Sequence, residues 1–184
     1  MDKLHFATTN KDKLKEASKI LNRRIIGIPG DVEEIQSMDL EKVATQKATG
    51  YYQVLKKPLF VEDVALSFSA LNGLPGAYIN DFSKVLGNDG LIELLKNKKD
   101  RKAVALTVIA YIPEAGKIYK FKGEVKGMIA KKPRGDKGFG WDAIFIPLGE
   151  KRTFAEMTLT EKNKYSMRKK ALEKFGKWLD GKDK

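Results

Sequence analysis

The 184-residue chain carries 36 Lys+Arg against 24 Asp+Glu, one His and no Cys, giving a formal charge of +12 at pH 7 with 42% hydrophobic residues. The lack of cysteine excludes disulfides and thiolate metal sites, and His5 alone builds neither a zinc centre nor an obvious nucleophile–histidine pair, so carboxylates, lysines and arginines must carry any catalysis. Apolar runs such as Val104 to Ile112 fall short of the ~20 residues of a membrane span, and the basic excess points to a nucleic acid, to a phosphorylated small molecule, or to a lysine-rich solvated surface.

From Met1, Asp2 and Lys3 the chain runs straight into a strand-like segment without the features of a secretory signal, and a cytoplasmic location is expected. Lys3 to Thr8 reads as a short strand ending in Thr8-Thr9-Asn10, after which Leu14, Ala17, Ile20 and Leu21 recur at helical spacing. Arg24 to Ile28 reads as a second strand, Leu40 to Leu55 as a helix closed by Pro58, and Leu59 to Val61 as a buried strand ending at Glu62-Asp63. This alternation predicts an α/β core. Gly73-Leu74-Pro75-Gly76 marks a turn, and Asp81 to Lys96 has helical periodicity interrupted at Gly87. Ala103 to Ile112 and Lys117 to Val125 predict a hairpin around Pro113-Glu114-Ala115-Gly116, which makes the sheet mixed. A Gly-rich loop from Arg134 to Gly140 follows. A final helix then carries Tyr165, Leu172, Phe175 and Leu179 as an apolar stripe, with Thr158 and Glu161 as the capping box at its start. There is no internal repeat and no linker.

Thr8, Thr9, Asn10, Lys11 and Lys13 gather hydroxyls, an amide and lysines where a strand enters a helix, where free N–H groups and the helix dipole favour phosphate. The spacing is not that of a Walker loop, and simple N-capping is the alternative. Glu62-Asp63 puts two carboxylates at the edge where α/β sheets bind ligands, and Glu33-Glu34 could add another oxygen ligand for Mg²⁺ held jointly with substrate phosphates. A plain strand-end turn is the alternative there. Gly138-Phe139-Gly140-Trp141-Asp142 combines flexible backbone, aromatic faces and a carboxylate suited to a nucleobase, or else to packing in the core. Glu156, Lys162, Ser166 and Arg168 lie on or beside the last helix. Arg168 shares the apolar stripe, so it needs an anionic or carbonyl partner, and a structural salt bridge would serve.

Together these clusters resemble the Ham1/inosine-triphosphatase family. Thr8-Thr9-Asn10 with Lys13 is similar to its phosphate motif, and Val61-Glu62-Asp63 with Leu71, Gly73, Pro75 and Gly76 to its central acidic motif. Gly138-Phe139-Gly140-Trp141-Asp142 with Phe145, Thr153-Phe154-Ala155-Glu156-Met157, and Glu161-Lys162-Asn163 with Ser166 and Arg168 are similar to its C-terminal signature. The resemblance implies an elongated two-lobed α/β fold, a mixed sheet with flanking helices and a nucleotide cleft between the lobes. Residues 1–184 would form a single domain, usually as a homodimer. It implies Mg²⁺-dependent hydrolysis of deaminated purine nucleoside triphosphates (ITP, dITP, XTP) to the monophosphate and pyrophosphate. Thr8, Thr9, Asn10, Lys13 and Lys47 would bind the triphosphate. Glu34 and Asp63, with Glu62 nearby, would hold the metal, and Asp63 would also orient or deprotonate the attacking water. Phe139 would stack on the base, Gly140, Trp141 and Asp142 would shape its pocket, and Lys162 and Arg168 would contact the nucleotide.

The chain departs from that pattern in three places. Ser166-Met167-Arg168 stands where the family usually has Ser-His-Arg, so the side chain at Met167 changes what meets the base. Val64 and Ala65 replace Ser or Thr followed by Gly, leaving the Val64 backbone N–H to contribute, and Thr9 replaces a Gly in the phosphate turn. None removes a proposed metal ligand or base, so hydrolysis with altered selectivity or rate is expected. A pyrophosphatase of broader selectivity is the enzyme alternative, and a basic nucleic-acid-binding protein the non-enzyme one, against which the acidic pairs speak.

Overall fold

The computed structural model describes residues 3–30 and 32–182, so Met1 and Asp2 lie outside the described residues. Strand β1 (Leu4–Ala7) leads into helix α1 (Lys11–Leu21), then β2 (Ile25–Ile28), α2 (Leu40–Leu55), β3 (Leu59–Phe68), β4 (Pro75–Gly76) and α3 (Ile79–Glu93). Strands β5 (Lys102–Ile112), β6 (Tyr119–Ile129) and β7 (Phe145–Pro147) precede α4 (Leu159–Lys162) and α5 (Met167–Lys182). The seven strands form one sheet in the order β2-β1-β3-β5-β6-β7, with β4 on β3. β1 runs parallel to β2 and β3, while the β3–β4 and β6–β7 pairs are antiparallel, so the sheet is mixed as expected. No helix among the described residues is long and apolar enough to cross a membrane.

The residues cluster into two compact units, and β3, β5 and β6 supply residues to both. The first comprises residues 1–63, 107–123 and 168–184. Helices α1 and α2 start where the sequence provides acceptors: Asn10 takes the N–H groups of Asp12 and Lys13, and Asp39 those of Glu41 and Lys42. Its core is aromatic, with Phe6 stacked on Phe60 at 4.3 Å and Phe175 of α5 against Phe60, Tyr111 and Phe121. Burying each such ring stabilises by about 1.5–3 kcal/mol.

The second unit comprises residues 64–106 and 124–167. Leu66, Phe68, Ile79, Leu91, Phe145, Phe154 and Met167 are among its core residues. Gly127 allows β6 to approach β7, because a Cβ there would stand 2.3 Å from the Ile146 carbonyl oxygen.

Three expectations are corrected. Strand β3 does not end at Glu62-Asp63 but continues to Phe68, so the acids sit mid-strand. Each is neutralised by a cation, which lets the strand stay buried through an apparent break in its apolar run. The Thr158–Glu161 box starts the one-turn α4 rather than the terminal helix, and Tyr165 falls between α4 and α5, packing on the second unit's core. Helix α3 bends where Gly87 takes φ 63°, and it ends at Glu93 rather than Lys96.

Candidate active site

In the first unit, β1 delivers Thr8, Thr9 and Asn10 to the start of α1. Thr8 Oγ1 accepts the Asn10 N–H at 3.1 Å, and Asn10 Oδ1 accepts from Asp12 and Lys13, so the two side chains shape the turn and cap the helix. Thr9 is exposed. One turn into α1, Lys13 Nζ donates to the Glu62 backbone oxygen at 3.3 Å and lies 3.4 Å from Glu62 Oε1.

Consecutive strand residues point to opposite faces, and Glu62 and Asp63 accordingly meet different partners. Both oxygens of Glu62 accept from Arg168, whose remaining nitrogen Nη1 donates to Glu16. All three side chains are buried. Burial alone would raise the Glu62 pKa, but Arg168 and Lys13 outweigh it and hold the carboxyl below its ordinary range. Burial likewise works against the charge on Arg168, and Glu62 and Glu16 reverse that effect. Arg168, expected to touch nucleotide, is held in an internal ion pair with Glu62 and Glu16.

Asp63 faces α2. Its Oδ1 accepts from Lys47 Nζ at 3.0 Å, while the same ammonium lies 2.6 Å from Glu34 Oε1. Asp63 Oδ2 is buried and has no hydrogen-bond partner among the described residues. Burial pushes the Asp63 pKa up, and the attraction of Lys47 and Lys13 only partly opposes it. Burial also acts against the Lys47 charge but is outweighed by Asp63 and Glu34, which leaves Lys47 more firmly protonated than usual.

The donor set can be tested against Mg²⁺ from these atoms. No group of three or more acidic or His side chains that could hold a metal occurs among the described residues. Mg²⁺ is commonly held by only one or two carboxylates, the rest of its shell coming from waters and substrate phosphates. Glu34 and Asp63, joined through Lys47 and offering the unpartnered Asp63 Oδ2, fit that mode.

In the second unit, Gly138 (φ 74°) and Gly140 (φ 61°) flank Phe139 in a tight loop. Asp142 Oδ2 accepts the Phe139 N–H at 3.0 Å and the buried Lys162 ammonium at 2.7 Å. Lys162 Nζ stands 5.2 Å from the centre of the half-buried Phe139 ring, within cation–π reach. The loop is braced from behind: Thr153 Oγ1 donates to the Arg134 carbonyl, and Glu156 accepts the Thr153 N–H. Asn88 of α3 donates to the Gly140 carbonyl at 3.1 Å. Trp141 is in the core, edge-on to Phe145, and Val64, Ser166 and Met167 are also buried.

Two participants escaped the sequence reading. Glu16 lies three positions after Lys13, on the same helical face beside buried Ala17, and a carboxylate at such a position implies a buried cation. Asn88 had no local signal.

Residues 4–178 match the Ham1 family. The chain is 44% identical to a dITP/XTP pyrophosphatase of Methanopyrus kandleri over 96% of this chain and 95% of the relative. It is 42% identical to an inosine triphosphate pyrophosphatase of Aspergillus fumigatus over 97% and 95%. A HAM1 protein of Coxiella burnetii superposes with a TM-score of 0.87 at 30% identity, covering 98% of this chain and all of the other. With its mixed sheet, its acidic strand and nearly its whole length matched, this chain belongs to the Ham1 family.

Proposed function

We propose that the chain is a Mg²⁺-dependent pyrophosphatase that hydrolyses deaminated purine nucleoside triphosphates such as ITP, dITP and XTP to the monophosphate and pyrophosphate. The observation that carries this reading is Asp63: a buried carboxylate with one unpartnered oxygen, its basicity raised by burial, set among Lys13, Lys47 and Glu34. The full-length relatives named dITP/XTP and inosine triphosphate pyrophosphatases support it.

Glu34 and Asp63 would hold the metal, which would neutralise triphosphate charge and make phosphorus more open to attack. The α1 start, with Thr8, Thr9 and Asn10, and the ammonium groups of Lys13 and Lys47 bind the triphosphate. Asp63 takes a proton from the water attacking the α phosphorus. The bond from that phosphorus to the α–β bridging oxygen breaks, and pyrophosphate leaves with its charge met by the lysines. Phe139 stacks on the base, and the Asp142–Lys162 pair fixes the loop that presents it.

In this reading Arg168 and Glu62 hold the strand that carries Asp63 and do not grip the nucleotide. The single-domain organisation, the homodimer and the cytoplasmic location belong to the same reading.

Broader nucleotide selectivity is the second reading, favoured by Met167, whose thioether side chain has no hydrogen-bond donor to offer a base and is only 3% exposed. A nucleic-acid-binding role is less well supported, because the core position of Trp141 removes it as a stacking surface. Pyrophosphate release from ITP, XTP, dITP, GTP, ATP and dTTP, with Mg²⁺ and with chelator, tests all three. Metal-dependent preference for the inosine and xanthine nucleotides is the expected result. Equal rates on all substrates would favour the second reading, and no release from any would sink the enzymatic one.

A further inference from the structure

Lys47 occupies an unusual position for a phosphate-binding lysine. Its ammonium stands 2.6 Å from Glu34 Oε1 and 3.0 Å from Asp63 Oδ1, with only 17% of its side chain exposed. A Mg²⁺ ion must approach each ligand oxygen to about 2.0–2.1 Å. An ion shared by Glu34 Oε1 and Asp63 Oδ1, the two oxygens that hold the Lys47 ammonium, would therefore fall on the space its nitrogen fills, and two cations cannot share it.

The lysine stem has four rotatable methylenes, so the ammonium can leave without moving α2, provided another anion receives it. A triphosphate supplies that anion and also the oxygens that complete a Mg²⁺ shell.

On this basis, and resting on the metal-binding reading of Glu34 and Asp63 above, we propose that Lys47 is a placeholder for the metal, so that the nucleotide-free enzyme resists the divalent ion. Nucleotide and metal bind with positive coupling because the triphosphate draws Lys47 out of the metal's place. The consequence is an enzyme that keeps its acidic pair neutralised while idle and accepts metal with its substrate. Coupling between ligands of one protein commonly amounts to a roughly 5- to 150-fold change in affinity.

The test is Mn²⁺ alone, titrated into the nucleotide-free full-length protein and followed by electron paramagnetic resonance of the free ion. Lys47→Met is expected to bind Mn²⁺ roughly tenfold or more tightly than wild type, within that range of couplings. Lys13→Met serves as the electrostatic control, because Lys13 lies against Glu62 rather than between Glu34 and Asp63. It should change the affinity much less, and equal gains in both variants, or no gain in Lys47→Met, would overturn the proposal.

Adding Asp63→Asn to Lys47→Met separates this idea from the one beneath it. If the added change leaves Mn²⁺ binding untouched, the metal does not bind at Asp63 and the parent reading fails first. Because Lys47→Met leaves two carboxylates facing each other, a second measurement avoids substitution altogether. The ¹⁵N ammonium resonance of Lys47 in the wild-type protein should stay unshifted by Mg²⁺ alone at concentrations that shift it when an ITP analogue with a non-hydrolysable α–β bridge is also present. A shift with Mg²⁺ alone at the same concentration would count against the placeholder.

Discussion

Arg168 clasps Glu62 through two nitrogens, Nε at 2.8 Å and Nη2 at 2.9 Å, and turns its third toward Glu16 at 2.5 Å. Removing one partner of such a buried pair typically costs about 3–5 kcal/mol, because it strands the opposite charge. Arg168→Ala is therefore expected to lose that much in urea denaturation at pH 7, and Arg168→Lys should rescue little, since an ammonium cannot reproduce the fork. Glu16→Gln, which leaves the Glu62 clasp in place, should cost less. Equal losses in Arg168→Ala and Glu16→Gln would show that the pairing with Glu62 is not what matters.

The two adjacent acids should respond to pH in opposite ways. Glu62 has its pKa lowered in the folded protein, so its stabilising contribution is full above the unfolded carboxylate range and is lost as pH falls through the folded value. Asp63 has its pKa raised, so its contribution is full below the unfolded range and is lost as pH rises through the folded value. Ionisation of Asp63 is thus a burden on stability. Asp63→Asn is expected to melt at or above the wild-type temperature while losing roughly 10²–10⁴-fold in kcat, the usual contribution of a general base. Retained turnover would remove Asp63 from its assigned role, whereas a lower melting temperature would mean the Lys47 pairing outweighs the cost of burial.

How far the sequence could be read follows from the range of each signal. The caps at Asn10 and Asp39 and the alternation of strands and helices are local, and the structure has them where the residues point. The extent of β3 was not legible, because its acids looked like a strand end until Arg168, 106 positions away, accounted for Glu62. The same limit hid Glu16, whose partner lies 152 positions away. Aromatic residues were legible as a cluster but not in their orientation: Phe139 and Trp141 are two positions apart, yet Trp141 enters the core and Phe139 stays half-buried beside Lys162.

Gly138 offers a test of the loop that carries Phe139. It holds φ 74°, and a Cβ there would come within 2.1 Å of Asp142 Oδ2, the atom that receives both Phe139 N–H and Lys162. Left-handed backbone in a non-glycine residue costs about 1–3 kcal/mol, and here the clash adds displacement of a buried ion pair. Gly138→Ala is expected to lower stability by at least that amount and to raise KM for ITP. Wild-type stability would mean the loop relaxes freely and does not depend on Asp142.

The two aromatics should separate function from packing. Stacking a base on an aromatic ring is worth about 1–3 kcal/mol by alanine substitution, so Phe139→Ala should raise KM for ITP roughly tenfold with a smaller effect on kcat. Its ring is half-buried, so the loss of stability should be modest. Trp141 is 7% exposed and packs edge-on to Phe145, so Trp141→Ala should instead cost about 3–5 kcal/mol in denaturation, as large-to-small core changes do. Steady-state kinetics on ITP and urea melts of both variants decide the matter. If Phe139→Ala leaves KM unchanged, base stacking by that ring is wrong, and the Asp142–Lys162 pair must be tested as the base contact in its place.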